Sequence, residues 1–424
     1  MVKLVENTEE TVHAKKLLDQ LRSEVREKLA GFEQIGDDEL YDCIEQAVAG
    51  VAERQYLPLG QRIDLKNRLF DSFRRLDILQ ELVDDPEVTE IMVNGKDHIF
   101  VERSGRLERW DRNFEQVEQL EDMIQQIVSK INRVVNVSRP IADARLVEDG
   151  SRVHIVLPPI ALDGPVVTIR KFPEPITIDR LIRYGSLTRE AADFLEKLVR
   201  SGYNIFISGG TGSGKTTFLN ALSAYIPETE RVITIEDSAE LQITQIPNLV
   251  RLETRGANAE GEGAVEISDL IRASLRMRPN YLIVGEVRGK ECLDMLQALN
   301  TGHFGLSTGH GNSARDMLSR LETMTLMAAD IPLTAVRGQI ASAIDILVHL
   351  GRLRDRSRRV LEITEVTGYA EGEIQLNPLY RFEERGDADE DRSPGGAKQG
   401  VRGSLTAVGT LARQEKLHAA GYSL

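Results

Sequence analysis

The stretch NIFISGGTGSGKTTFLNAL, residues 204–222, passes from an apolar strand pattern through a glycine-rich turn into a helix pattern. Gly209, Gly214, Lys215 and Thr216 meet the spacing G-x-x-x-x-G-K-[ST]. Glycine lets the backbone fold tightly and aim N–H groups at phosphate oxygens. The helix starting near Gly214 turns its positive end toward the same anion. Gly209, Gly210, Thr211, Gly212, Ser213, Gly214, Lys215, Thr216 and Thr217 are therefore the expected phosphate-binding residues, with ATP and Mg²⁺ as ligands. Lys215 would reach the β and γ phosphates, and the Thr216 hydroxyl would ligate Mg²⁺. A chance glycine-rich turn is the competing reading. The strand before it, the helix after it and the Lys-Thr pair in register count against that.

Hydrolysis needs a carboxylate near the γ phosphate. NYLIVGEV, residues 280–287, is an apolar strand ending in Glu286, where a carboxylate could reach Mg²⁺ or polarise water. Two acids usually stand at such a strand end, but Gly285 takes the first place. RVITIED, residues 231–237, offers Glu236 and Asp237 at the end of another strand. Ligands of open α/β sheets sit at these ends, so Glu236 and Glu286 are expected to converge on one nucleotide. A helix cap or a surface charge remains the alternative for each. A strand lying between the phosphate-loop strand and NYLIVGEV would mark a RecA-like ATPase, an inference from fold analogy.

Outward from this centre, helices and strands alternate from about residue 186, as in a largely parallel sheet. IDILVHLGRL and RRVLEITEV read as a hairpin whose basic tip, RLRDRSRRV, is either solvated, which we favour, or a contact for acidic lipid or a partner. The expected divisions are a helical region at 1–75, a mixed α/β domain at 76–172, a proline-marked linker at 173–185 and the ATPase domain at 186–424. That last domain would carry a helical and hairpin extension and a flexible loop at about 384–403. In the first region Ala14, Leu17, Leu18, Leu21, Val25 and Leu29 recur at helical spacing, as a small bundle or a partner-docking arm. The fold class expected is α/β throughout the two larger parts.

The net charge of −14 argues against binding nucleic acid along the whole chain. Two distant cysteines exclude a disulfide framework and a four-cysteine zinc site. No signal peptide and no apolar run of membrane-spanning length are read, so a cytoplasmic protein able to dock on a membrane complex is expected.

An ordered set of motifs carries a resemblance: VTEIMVNG, FVERSGRL, ARLVEDGSRVHIVLPPIALDGPVVTIRKF, ITIEDSAEL, LVRLETR, LIRASLRMRPNYLIVGEVRG, TGHFGLSTGHGNSARDMLSRLETM and VRGQIASAIDILVHL. From about residue 76 onward the chain resembles the type II/type IV secretion ATPase superfamily, most of all its CpaF branch. That branch comprises the tight-adherence (Flp) pilus assembly ATPases, also called TadA. The resemblance implies a hexameric ring on the cytoplasmic side of the inner membrane, working against a membrane platform protein. It makes ITIED the acidic box and TGHFGLSTGH the histidine box, and it implies Glu236 and Glu286 as acids of the hydrolytic centre. It makes Arg145, Arg152 and Arg170 candidates for reaching phosphate. Asn280, Phe304 and Gly311 depart from the family's usual residues, and the four-cysteine module of other branches is absent.

Three roles compete for His303 and His310: metal ligand, structural side chain, or γ-phosphate sensor. The sensor reading is favoured for His310, at the end of strand GLSTGH, while His303 stays divided between sensing and structure. Arg272, Arg276 and Arg278 flank a helix before NYLIVGEV, and Lys171 adjoins Arg170; any of these could equally be a surface charge. Two further functions stand against an ATP-driven motor. One is a RecA-like nucleic-acid-dependent ATPase, with DNA-stimulated turnover. The other is a nucleotide switch that does not hydrolyse.

Overall fold

In the computed structural model, residues 17–29, 35–103, 106–130, 134–172, 175–256, 262–387 and 401–423 are described. The chain forms two compact units, Met1–Pro173 and Glu174–Leu424.

The first unit has two cores. Helices α1 (17–29), α2 (Asp37–Ala52) and α3 (Leu59–Arg74) pack Leu21, Val25, Ile44 and Leu69 together. Ala14 lies outside the described residues. A short α4 (Gln80–Asp84) leads into a six-stranded antiparallel sheet. Its strands are β1 (Val88–Asn94), β2 (His98–Arg103), β3 (Arg106–Arg109), β4 (Ile141–Arg145), β5 (Arg152–Val156) and β6 (Val166–Arg170), in the order β3-β2-β1-β6-β5-β4. The amphipathic α5 (Val117–Ser129) buries Leu120, Ile124 and Ile127 in the core that also takes Ile91, Val153 and Ile169. Edge strand β4 was not expected. Its buried positions are only Ala142 and Ala144, too small to make a strong alternating pattern.

In the second unit the stretch expected as a linker contains α6 (Ile178–Arg183), capped by the Thr177 hydroxyl. Ile178 and Leu181 are buried in this unit's core, which corrects the expected 173–185 boundary. Then follow α7 (Arg189–Arg200), β7 (Ile205–Gly209), α8 (Lys215–Ser223), β8 (Val232–Glu236), β9 (Leu249–Glu253), α9 (Ile267–Ser274) and β10 (Tyr281–Val284). After these come α10 (Glu291–Asn300), β11 (Phe304–His310), α11 (Ala314–Ala328), α12 (Leu333–Ala343), β12 (Ile346–Arg352), β13 (Arg358–Ala370), β14 (Glu373–Asp387), β15 (Val401–Ala407) and α13 (Glu415–Ala419). The flexible loop expected at 384–403 is strand at both ends, and 388–400 lie outside the described residues.

The nine strands run β15-β14-β13-β12-β7-β11-β10-β8-β9, parallel from β12 to β9 and antiparallel beyond. The inserted strand expected between the phosphate loop and β10 is β11. Helices α6, α7, α8 and α13 share one apolar core, and α9 to α12 share the other, so both faces are covered. Strands such as Ile205–Gly209 and Tyr281–Val284 are accordingly buried at every position, and the second reads as an unbroken apolar run. The segment after β15 is tied to the base of the sheet. Buried Asp345 accepts Asn204 N–H at 2.8 Å and Lys416 Nζ at 2.6 Å. Buried Glu365 accepts the N–H groups of Ala412 and Arg413.

Candidate functional site

The loop between β7 and α8 is shaped by its glycines. Gly212 and Gly214 have φ of 71° and 94°, a region that side-chain-bearing residues rarely adopt. Gly209 packs so closely that a Cβ there would lie 2.5 Å from Ser213 Oγ and 2.6 Å from the Leu350 carbonyl oxygen. Gly214 is the N-cap of α8, so the free N–H groups of its first turn face the loop.

Lys215 is buried, and its Nζ donates to the Gly210 carbonyl at 3.2 Å and lies 3.4 Å from His310 Nδ1. Burial and the Arg288 cation lower its pKa, against the pull of Glu286. His310 stands level with Gly209 on the adjacent strand, and its Nε2 is 2.8 Å from Glu286 Oε1. Burial and the Lys215 cation hold the imidazole below its ordinary pKa, favouring the neutral ring. Arg288 donates to Glu286 Oε2 through Nε at 2.8 Å and Nη2 at 2.5 Å, and its Nη1 lies 3.6 Å from Asp237. Lys215, His310, Glu286, Arg288 and Asp237 thus form one chain across three strand ends: a cation, a neutral imidazole, an anion, a cation and an anion.

Glu236 joins the same rim from β8, whose register sets it level with Gly285. A Cβ on Gly285 would lie 2.9 Å from Glu236 Cγ, so the missing side chain makes room for this carboxyl. Its Oε1 accepts the N–H groups of Glu240 and Leu241, while Oε2 is buried without a hydrogen-bond partner among the described residues. Burial pushes its pKa up to about 7, in spite of those two N–H donors.

His303 is not brought to this rim. It precedes β11, with Nδ1 3.1 Å from the Ala298 carbonyl, and seven extended residues put it roughly 20 Å from His310. Among the described residues no group of three or more His, Cys, Asp or Glu could hold a metal. The metal reading of the two histidines finds no donor set there. Thr216 and Glu286 are hard oxygen donors, which fits Mg²⁺, a cation that takes its remaining ligands from phosphate and water.

In the first unit Arg145, Arg152 and Arg170 are directly opposite one another on β4, β5 and β6. Neighbouring Ala144, Val153 and Ile169 point into the core, so the three guanidiniums share the outer face. Arg152 lies 3.6 Å from Asp143, and Arg145 stacks 5.9 Å from the Phe172 ring. Like charges placed opposite each other destabilise a sheet, and an anion would relieve them. Lys171 instead donates to the Asp85 carbonyl at 2.6 Å, a structural use. Arg272 pairs with Asp294 at 3.0 Å.

Sequence reasoning assigned no role to Arg288 and left Asp237 out of the site. Their signal was adjacency: each lies within two residues of an expected acid.

Known proteins resemble this chain in sequence and in fold. A conjugal transfer protein TrbB of Rhizobium radiobacter is 34% identical over 313 residues, covering 73% of this chain and 93% of its own. The type IV secretion system protein PtlH of Bordetella pertussis is 33% identical, covering 68% and 93%. The pilus retraction motor PilT, solved with ADP, shares the fold at 19% identity with a TM-score of 0.52, covering 81% and 86%. The family model described as type II/IV secretion system protein matches residues 74–399, and it is to this family that the chain belongs.

Proposed function

We propose that this chain is an ATP hydrolase that powers assembly of a tight-adherence (Flp) pilus, or protein secretion, from the cytoplasmic side of the inner membrane. The observation that carries the reading is the placement of Lys215 Nζ between the Gly210 carbonyl and His310, with Glu286 beyond. A triphosphate entering the loop would take over the lysine's hydrogen bonds. Glu286 would orient the attacking water, and neutral His310 would donate to the γ phosphate and report its loss. Thr216 and Glu286 would hold Mg²⁺, which would supply charge neutralisation for the transferring phosphoryl group. Arg145, Arg152 and Arg170 are proposed as the charged row that meets phosphate. His303 is kept as a candidate for a role away from the reacting atoms.

By family resemblance the active form is a homo-oligomeric ring, a hexamer, working with an inner-membrane platform protein. The absence of a four-cysteine module supports the CpaF branch. A second reading, conjugal transfer or type IV secretion, is favoured by the names of the TrbB and PtlH relatives. The test has two parts. Purified protein should hydrolyse ATP, Lys215→Ala should abolish it, and native mass should rise to a ring with nucleotide. Deletion of the gene should remove surface pili; loss of plasmid transfer with pili intact would favour the second reading.

A further inference from the structure

The basic hairpin tip expected to be solvated lies against the phosphate loop. Arg358 Nε donates to the Gly212 carbonyl at 2.9 Å, and its Cδ would sit 3.4 Å from a Cβ on Gly214. Behind it opens a cavity of about 240 Å³. Ser213, Thr217 and Phe218 line one wall, Tyr184 another, and Arg356 and Arg358 a third. Lys215, His310 and Glu286 do not line it. Ser213 is buried, and its Oγ has no hydrogen-bond partner among the described residues.

We infer that the β12–β13 turn is a nucleotide-binding element, with Arg358 and Arg356 holding the nucleoside and α-phosphate end of the nucleotide in this cavity. The inference rests on the nucleotide reading above and extends it to the opposite end of the ligand. The β and γ phosphates belong to Lys215 and the strand-tip acids. The rest of the molecule must therefore leave over the first turn of α8, where Thr217 and Phe218 stand. Arg358 spends Nε on Gly212, which leaves both Nη groups for a phosphate oxygen. Neither Arg356 nor Arg358 makes an ion pair among the described residues, so an anion would meet two uncompensated guanidiniums.

The turn is held firmly enough to act this way. Asp355 accepts the N–H and hydroxyl of Ser357 at 2.8 and 2.6 Å and the Val401 N–H at 2.7 Å. These bonds hold its carboxyl down at about 2. The Ser186 hydroxyl donates to the Arg358 carbonyl at 2.8 Å, and Arg359 donates to the Gly185 carbonyl. The arginines are thus presented from a fixed frame rather than a loose tip.

The experiment is titration of the full chain with a fluorescent ADP analogue, with ATP turnover in parallel. Arg358→Ala and Arg358→Gln should each raise Kd for ADP and ATP by about tenfold, alike for both. The kcat at saturation should stay within about twofold. Gln keeps a donor for Gly212 without the charge, so it decides the matter should the Ala variant fold poorly. Wild-type affinity in the Gln variant would overturn the inference. So would a loss confined to ATP, which would move Arg358 to the γ phosphate. If wild-type protein takes up no ADP, the nucleotide reading itself fails. If it binds ADP, loses it on Lys215→Ala and keeps it on both Arg358 changes, only the present inference fails.

Discussion

Nε2 of His310 lies 2.8 Å from Oε1 of Glu286, across two adjacent parallel strands. The contact couples the residue expected to feel the γ phosphate to the one expected to place water. With Lys215 on the other ring nitrogen, His310 is set between a cation and an anion.

His310→Ala should therefore keep nucleotide affinity and lose turnover by about a hundredfold or more, in the range of one positioned polar group. Binding of a non-hydrolysable ATP analogue and steady-state kcat check this. Unchanged kcat would leave the imidazole a structural side chain.

Glu286→Gln keeps the shape and removes the charge. We expect kcat to fall about 10² to 10³-fold, with KM moved less than about threefold. A rise in KM at constant kcat would make Glu286 a binding residue instead.

Glu236 gives a pH signature. Its carboxyl titrates near 7 in the folded chain against an ordinary value of 4.5. The folded state therefore holds the proton more tightly, and this contribution is present below pH 4.5 and lost as pH rises through 7. Denaturant melts of wild-type and Glu236→Gln protein should diverge across that window, with the variant relatively more stable at pH 8. A constant difference from pH 4.5 to 8 would contradict the burial argument.

Gly285→Ala should drive a methyl group into Glu236. Overpacking of this kind costs about 1–3 kcal/mol, a drop of several degrees in Tm. Glu236→Ala in the same chain should recover most of it, as the non-additive term of a double-mutant cycle. Strict additivity would mean the two positions do not touch.

Arg152 stands between two like charges. Arg152→Ala should leave the unfolding free energy unchanged or raise it by up to about 1 kcal/mol through relieved repulsion, with Tm following, while ATP turnover falls. Full turnover would reduce the arginine row to a surface feature.

Much of this arrangement was legible in the chain, for identifiable reasons. The phosphate loop announces itself because its glycines, Lys215 and Thr216 are fixed by spacing along one segment. Glu286 was found because it closes the apolar run NYLIV, and His310 because it ends the strand pattern GLSTGH; strand ends are where parallel sheets keep ligands. What escaped depends on lateral register. Nothing local to VTIR, RVHIV or IADAR shows that Arg170, Arg152 and Arg145 share a row, because strand pairing joins distant segments. Gly285 looked like a missing acid; only pairing with β8 shows that its bareness accommodates Glu236. The basic tip looked solvated because a run of arginines carries no information about the loop it will cover. The helix over 178–183 hid behind two prolines that suggested an open connection.

The anchoring of residues 411–417 beneath the sheet has a practical corollary. Asp345 sits one residue before β12 and shares its carboxylate with the amide that opens β7 and with the Lys416 ammonium. Trimming everything past β15 would strand that anion in an apolar interior and uncover Leu411 and Leu417. A shortened version would then precipitate or melt early with its nucleotide loop chemically untouched, so lost activity in such a truncation would report a broken foundation rather than a missing catalytic part.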